Sequence, residues 1–458
     1  MTIQQLIDSI TQGKLETSEQ KTRVDSWRSW YNGYVRNFHD HRVYNGTDYV
    51  TETMHSLHMA KKVCEDWADL LYNERCIITT DSEDANDKLD KAEENVNFEV
   101  QINHGTELGM AFGTVGYVYT LDKESKEVTL EYVTADQVFP ITVSNGRVTE
   151  CAFYSILTQK GKKVAYLTIH QKQGSTYVIE NALYSYENNQ IGEQLDYWVF
   201  NTRSQNQWFA VFEPNLVNNF DMTSPYGISV FANATEELKE IDNQFDAIDN
   251  EISIGRMRII VATEALNYDE KGNSHPVFDP KDTAFQKLSK DTNEKTLIET
   301  IAPTLRTEQQ IAALNNSLRH LSAKVGMGAN HYAYDSVTGG LKTATEVISN
   351  NAPLYRRLKK HEKNLYECVR TLIIALADIY TLHLGIPIHF DELSIQFDDS
   401  IIQDKDTERK KDIADINIGV LSKVEYRRKW YGEDEGTAKK KVEEAQEYLP
   451  EGGDEGDF

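Results

Sequence analysis

Two stretches of this chain carry the same apolar spacing, and that repetition restricts the folds open to it. In "ATEELKEIDNQFDAIDNEISIG", Ala234 to Gly255, apolar residues fall at Leu238, Ile241, Phe245, Ile248 and Ile252. Between Arg306 and Val325 they fall at Ile311, Leu314, Leu318, Leu321 and Val325. Both runs follow a 3-4-3-4 rhythm, the narrow seam of a coiled-coil helix. About fifty residues of mixed character lie between them. An antiparallel helix pair with an insertion at its tip satisfies both seams at once. Two ordinary amphipathic helices laid on one core would satisfy them too.

The first of these helices also carries Glu236, Glu237, Glu240, Asp242, Asp246, Asp249 and Glu251 against Lys239, a net charge of −6. A helix that buries one stripe has no need of so many acids. The whole chain shares the bias, with 48 basic and 73 acidic residues, net −25 over 458 residues. A simple nucleic-acid binder carries the opposite sign. Cys64, Cys76, Cys151 and Cys368 form no CxxC pair and no disulfide framework, as expected in a reducing compartment. The opening "MTIQQLIDSITQGK" lacks the basic and apolar regions of a secretory leader. The most apolar stretch, Thr371 to Phe390, contains Asp378, His383 and Pro387, and reads as a core helix rather than a membrane span.

The pattern along the chain is α+β. The first 75 residues read as helical, with Trp27, Trp30, Tyr31 and Tyr34 on one face, and Leu57, Val63, Trp67, Leu70 and Leu71 on another. From about Ile77 to Phe212, short β-branched and aromatic runs alternate with turn signals at Asn145-Gly146, Gly161 and Gly174, the pattern of hairpins. One helix, around Phe98 to Met110, interrupts them. The acidic helix is expected from Val230 to Gly255, about 39 Å long, with Asn233 and Glu236 at N-cap and N3 spacing. After Val325 comes a glycine-rich stretch without a period, expected to be a mobile loop. A long helix follows from a Thr343–Glu346 capping box to about Leu384, with Pro353 inside it as a kink. "LSIQF" reads as a strand. The tail from Asp404 reads as two short helices, the second opened by Ser422 and Glu425 as a capping box.

Motifs for chemistry are sparse. The chain has no phosphate-cradling glycine loop, no HExxH and no GxSxG. "FHDH", Phe38 to His41, and "HSLH", His55 to His58, place histidines near one another without the carboxylates or cysteines that would complete a metal site. Asp398 and Asp399 could be a carboxylate pair, or simply a turn. The basic run Arg356 to Lys363 reads as a solvated helix face. No catalytic residue, metal or cofactor is expected.

The order of four stretches resembles the tailed-bacteriophage portal proteins, in the branch from phages of Gram-positive bacteria. They are "MAKKVCEDWADLLYNE", "SPYGISVFANATEELKEIDNQFDAIDNEISIGRMRIIV", "TGGLKTATEVISNNAPLYRRLKKHEKNL" and "IQFDDSIIQDKDTERKKDIADINIGVLSKVEYRRKWYG". The resemblance covers most of the chain. It implies a ring of about twelve copies at one capsid vertex. Through that ring, double-stranded DNA is packaged and later ejected without sequence specificity. By position, 1–229 would form an α+β wing, 230–255 and 306–325 two stem helices, and 256–305 a small mixed clip. Residues 326–342 would be a tunnel loop touching DNA through His331, Tyr332, Tyr334, Ser336, Thr338, Gly339, Gly340 and Lys342. Residues 343–403 would form the long kinked helix and a returning wing strand, and 404–458 a short helical crown with an acidic tail. Implied partners are terminase, a head-completion adaptor, and capsid and scaffolding proteins, with no membrane. The implied location is the virion, after assembly in the host cytoplasm. In such a ring the first stem helix would gather about −72 into one collar, a wall that leaves counterions on sliding phosphates, unless some of its acids face solvent or pair with Arg306, Arg319 and Lys324. A metal-dependent phage nuclease, and a head-shell or scaffold protein without a channel, are the competing readings.

Overall fold

The computed structural model describes residues 5–6, 17–44, 48–72, 76–122, 125–159, 161–188, 190–255, 303–328, 330–334, 344–397, 405–431 and 435–447. It adds short backbone stretches at 258–262, 267–268, 274–275, 285–288 and 298–301. The chain divides into two compact units. One comprises Met1–Thr338 with Arg356–Phe397, the other Gly339–Tyr355 with Asp398–Phe458.

The larger unit opens with helix α1 (Thr17–Tyr31), which buries Val24, Trp27 and Trp30. Tyr34, expected on that face, lies past the helix end and is exposed. A hairpin of β1 (Asp40–Tyr44) and β2 (Tyr49–Thr53) follows, so the first 75 residues are not all helical. Helix α2 (Met59–Leu71) buries Val63, Cys64, Trp67 and Leu71. After β3 (Ile77–Thr80) come two helices rather than one, α3 (Glu83–Asn95) and α4 (Phe98–Phe112). The sequence conceals α3 because its inward stripe is only Ala85, Leu89 and Ala92 among many charges. Its start is capped, with Ser82 Oγ accepting from Ala85 N at 3.3 Å.

Strands β4 (Val115–Leu121), β5 (Val128–Thr134) and β11 (Phe209–Phe212) form one antiparallel sheet, in the order β11-β4-β5. Between them in sequence run β6 (Val138–Ser144), β7 (Arg147–Gln159), β8 (Lys162–Gln173), β9 (Thr176–Glu187) and β10 (Gln190–Asn201). These make a five-stranded antiparallel meander. Its first turn places Asn145 and Gly146 at φ 51° and 73°, the pair of left-handed residues that a tight hairpin requires. Side chains alternate across the meander. One face packs Val138, Cys151, Phe153 and Tyr177 against Val118 and Phe209 of the smaller sheet. The other buries Ala152, Tyr154, Leu167, Ile169 and Tyr186.

The smaller sheet also meets α4, which can lie close to it because Gly105 has no side chain. A Cβ there would sit 2.3 Å from the Tyr117 ring. At the end of α4, Gly113 adopts φ +80° against the Gly227 carbonyl. Next to it, Val230 N donates to Met110 O at 2.9 Å and Gly227 N to Thr114 Oγ1 at 3.1 Å. These contacts fix the chain just before the acidic helix.

That helix, α5, spans Thr235–Ile254. It starts five residues later than expected from Val230 and is about 30 Å long. Asn233 does not cap it. Its side chain pairs instead with Asn219, at 2.9 and 3.1 Å. Backbone strands β12 (Arg258–Ala262), β13 (Asn267–Tyr268), β14 (Ser274–His275), β15 (Phe285–Leu288) and β16 (Ile298–Ile301) follow. β12 pairs parallel to β15 and antiparallel to β16. Helix α6 (Thr307–Val325) ends at Gly326, which takes φ +88°.

Helix α7 runs Ala344–Ile379 with Pro353 inside it, then one π-helical turn, Tyr380–Leu384. Its larger-unit part buries Leu365, Val369, Leu372, Ile373, Leu376 and Ile379, so the apolar stretch is core. No helix among the described residues is long and apolar enough to cross a membrane. Strand β17 (Leu393–Gln396) pairs antiparallel with β3. The capping box expected at Thr343 and Glu346, and the Asp398–Asp399 pair, lie outside the described residues or side chains.

The smaller unit holds α8 (Lys405–Asn417), α9 (Lys423–Tyr431) and α10 (Glu435–Glu447), three helices where two were expected. Ser422 and Glu425 do form the reciprocal cap. Glu425 N donates to Ser422 Oγ at 3.1 Å and Ser422 N to Glu425 Oε2 at 2.9 Å. Asp412 ties α8 to α9 by accepting from Trp430 Nε1 and Lys429 Nζ, at 2.8 and 2.7 Å.

The Gly113–Gly227 contact predicts a sharp local cost. Gly113→Ala should lower unfolding free energy by about 2–4 kcal/mol, from left-handed strain plus contact with the facing backbone. Urea denaturation measures it, and a loss below about 0.5 kcal/mol would show that the junction relaxes freely.

Candidate functional site: a two-helix hairpin and the loop that follows it

Helices α5 and α6 run antiparallel and are latched at both ends. At the tip, Glu251 accepts from Arg306 through the backbone N at 2.6 Å, Nε at 3.3 Å and Nη2 at 3.1 Å. These bonds hold the Glu251 carboxyl below its ordinary range, the backbone N–H foremost. At the base, Lys324 Nζ reaches Glu237 at 2.6 Å and the Asn233 carbonyl at 3.2 Å. The shared seam is not buried evenly. Leu238, Ile241, Leu314, Leu318, Leu321 and Val325 are buried. Phe245 and Ile248 are half-buried. Ile252 and Ile311 are 47% and 46% exposed. The hairpin is zipped at its base and leaves an apolar stripe uncovered towards its tip.

The base is anchored by other elements. Trp67 of α2 donates Nε1–H to Val325 O at 3.2 Å. The firmest anchor is Asp242, 4% exposed. It accepts from His39 Nε2 at 3.1 Å, Ser56 Oγ at 3.0 Å and Leu57 N at 2.8 Å. Val35 N donates to His39 Nδ1 at 2.8 Å, so Nε2 is the ring nitrogen that carries the proton towards Asp242. Asp246 accepts from His55 N at 3.0 Å. The 35–58 segment therefore clasps one side of α5.

These contacts sort the seven acids. Asp242 is inside the protein, Glu237 and Glu251 are held by α6 and its N-terminal residue, and Asp246 braces the clasp. Glu236, Glu240 and Asp249 are exposed. Of these, Glu236 pairs with Lys239 at 2.7 Å on its own helix. The seven therefore do not share one surface, and Glu251 and Glu237 are the ones that pair with Arg306 and Lys324. Asp242 is four residues from Leu238 and three from Phe245, on the seam side of the helix. That spacing was the available signal, and the acid label hid it.

The loop after α6 is described to Tyr334. Tyr332 N donates to Ser322 Oγ at 3.2 Å, and Tyr334 N to Asn315 Oδ1 at 2.9 Å, so this half folds back on α6. His331 Nε2 lies 3.4 Å from Asp66 Oδ2, and its ring meets Tyr332 edge-on at 4.7 Å. Burial, with the Asp66 carboxylate nearby, pushes the Tyr332 phenol well up. Tyr334 is 61% exposed. Ser336, Thr338, Gly339, Gly340 and Lys342 lie outside the described residues. Among the described residues no group of three or more His, Cys, Asp or Glu is placed to hold a metal ion.

The sequence profile of the family described as "Phage portal protein, SPP1 Gp6-like" matches residues 14–449. The chain belongs to that portal family. No curated protein matches it. Among solved structures it is similar to a chain of "Neck of native GTA particle computed with C12 symmetry". The two share 11% identity over 80% of this chain and 88% of that one, with TM-score 0.40. It is also similar to a chain of "Virion of native gene transfer agent (GTA) particle". There the identity is 12% over 82% of this chain and 89% of that one, with TM-score 0.38.

For this portal protein the clasp on α5 predicts a measurable dependence. Asp242→Ala orphans three donors, all of them on buried or half-buried groups, and should cost about 3 kcal/mol in urea unfolding. It should also open the 40–57 segment to limited proteolysis. A loss under about 1 kcal/mol with unchanged proteolysis would show that the clasp holds without Asp242.

Proposed function

We propose that this portal protein assembles as a closed ring at one capsid vertex, with α5 and α6 as the stem around a DNA channel. The observation that carries the reading is the hairpin itself. It is latched at both ends, rooted at its base by Trp67 and Asp242, and bare along its apolar stripe near Ile252 and Ile311. A stripe left open by one copy is suited to cover by the next copy in a ring. The ring is non-enzymatic, and a separate motor moves the DNA.

The exposed acids then have a role as a non-adhesive lining. Lysine and arginine contacts to phosphate confer non-specific affinity of about 10⁻⁴–10⁻⁶ M, which a motor would have to break repeatedly. Carboxylates keep counterions on the DNA and remove that trap. Residues 256–305 carry seven basic and eight acidic side chains, a nearly neutral surface suited to docking terminase and later an adaptor protein. Residues 326–342 form the loop nearest DNA, with its first half fastened to α6 and Tyr334 presented outward. Residues 1–229 form the wing and 404–458 the crown. The assembled ring resides in the virion.

Charge reversal tests the lining. Glu236→Lys, Glu240→Lys and Asp249→Lys together spare the acids that hold the fold. The triple variant should still assemble, but package DNA roughly tenfold more slowly at low salt, with the deficit shrinking as salt rises. Packaging rates equal to the unaltered protein at every salt concentration would contradict an electrostatic lining.

A further inference from the structure

A cavity of about 580 Å³ lies between the β6–β7 turn, β11 with the loop before it, and one face of α7. Every residue on its lining is described and belongs to the larger unit. Five of them are acids or bases: Arg147, Glu213, Lys363, Glu367 and Arg370. Arg147 on the turn reaches Glu367 on α7 at 2.9 Å, so that carboxylate already has its counterion. Lys363 and Arg370 are exposed. Glu213, one residue past β11, is half-buried, and its carboxyl has no hydrogen-bond or ion-pair partner among the described residues. Both of its oxygens keep accessible surface.

Neighbouring groups are engaged elsewhere. Asn364 Nδ2 donates to the Glu213 backbone carbonyl at 3.0 Å rather than to its side chain. Tyr177 and Tyr226 donate their hydroxyls to Thr149 O and Val138 O, each at 3.0 Å. Burial pushes the Cys368 thiol well up, so it stays neutral. His361 accepts from Asn215 N through Nδ1 at 2.9 Å, and burial pushes its pKa down to about 3, so it is neutral too. Neither Lys363 nor Arg370 offsets the burial of Glu213, which alone pushes its carboxyl up to about 8. An unpaired carboxyl in such a place keeps its proton until a cation arrives to replace it.

We propose that this cavity binds a small organic cation whose ammonium or guanidinium group donates to the Glu213 carboxylate. Charge-assisted N–H···O contacts are about twice as strong as neutral ones, so a cation with N–H donors gains most there. One proton leaves Glu213 for solvent as the cation enters, and the net charge of the cavity is unchanged. A cation of similar size without N–H groups would bring charge but no donor. An anion held by Lys363 and Arg370 would instead leave Glu213 protonated.

Calorimetry on the full chain separates these cases, with methylguanidinium and tetramethylammonium titrated in two buffers of different ionisation enthalpy. At pH 7 methylguanidinium should bind saturably at one site and release most of a proton. Its affinity should rise roughly tenfold from pH 6 to pH 7 and level off above about pH 8, where Glu213 is already ionised. Tetramethylammonium should bind at least about tenfold more weakly. Glu213→Gln, which keeps the shape, should abolish proton release and weaken methylguanidinium at pH 8 by at least about tenfold. If that variant fails to fold, the pH profile and proton count of the unaltered chain still decide. No saturable binding, an affinity flat from pH 6 to pH 8, or equal binding by the folded variant would overturn the proposal.

Discussion

Two latches, Glu251 to Arg306 and Glu237 to Lys324, set the register of α5 against α6, and the apolar base between them supplies the stability. The magnitudes separate these roles. Solvent-exposed ion pairs contribute about 0–1 kcal/mol each. Burying leucine- or isoleucine-sized side chains contributes about 1.5–3 kcal/mol each. Leu238, Ile241, Leu314, Leu318, Leu321 and Val325 are all buried, so the base outweighs the latches. The latches instead forbid slippage along a seam whose rhythm would otherwise allow it. Everything offered beyond the base depends on that fixed register, including the open stripe at the tip and the direction of the exposed acids.

The rest of the larger unit serves to hold the root of this hairpin. The two sheets and α4 deliver the chain to α5 through the Gly113–Gly227 contact. Helix α2 grips the end of α6 through Trp67. The 35–58 segment closes on α5 through Asp242, where a buried carboxylate is tolerated because three donors surround it. A stalk with a rigid root and an uncovered apolar tip is incomplete as a single copy. In the proposed ring, such hairpins complete one another around an axis.

Much of this was legible in the sequence wherever one period dominated. Both seams were readable because five apolar residues in each keep strict spacing. Asn145-Gly146 marked its hairpin, and Ser422 with Glu425 marked its helix start, because local chemistry alone decides such features. Illegible features were those decided by distant partners. Helix α3 buries three small or medium side chains amid charge, so its periodicity is faint. Asn233 has the chemistry of a cap but is claimed by Asn219. Asp242 looked like one more surface acid because its partners, His39 and Ser56, stand about two hundred residues away in sequence. Glu213 comes to line a cavity only when β11 and α7 pack together, and no local pattern announces it.

In the proposed assembly α5 and α6 stand around an open axis, each copy covering its neighbour's apolar tip. Electron cryomicroscopy of the assembled vertex measures this directly. The expected result is a closed ring whose narrowest channel is walled by α5–α6, with Ile252 and Ile311 buried between adjacent copies. A ring with these hairpins on its outer rim, or an assembly with no open axis, would contradict it.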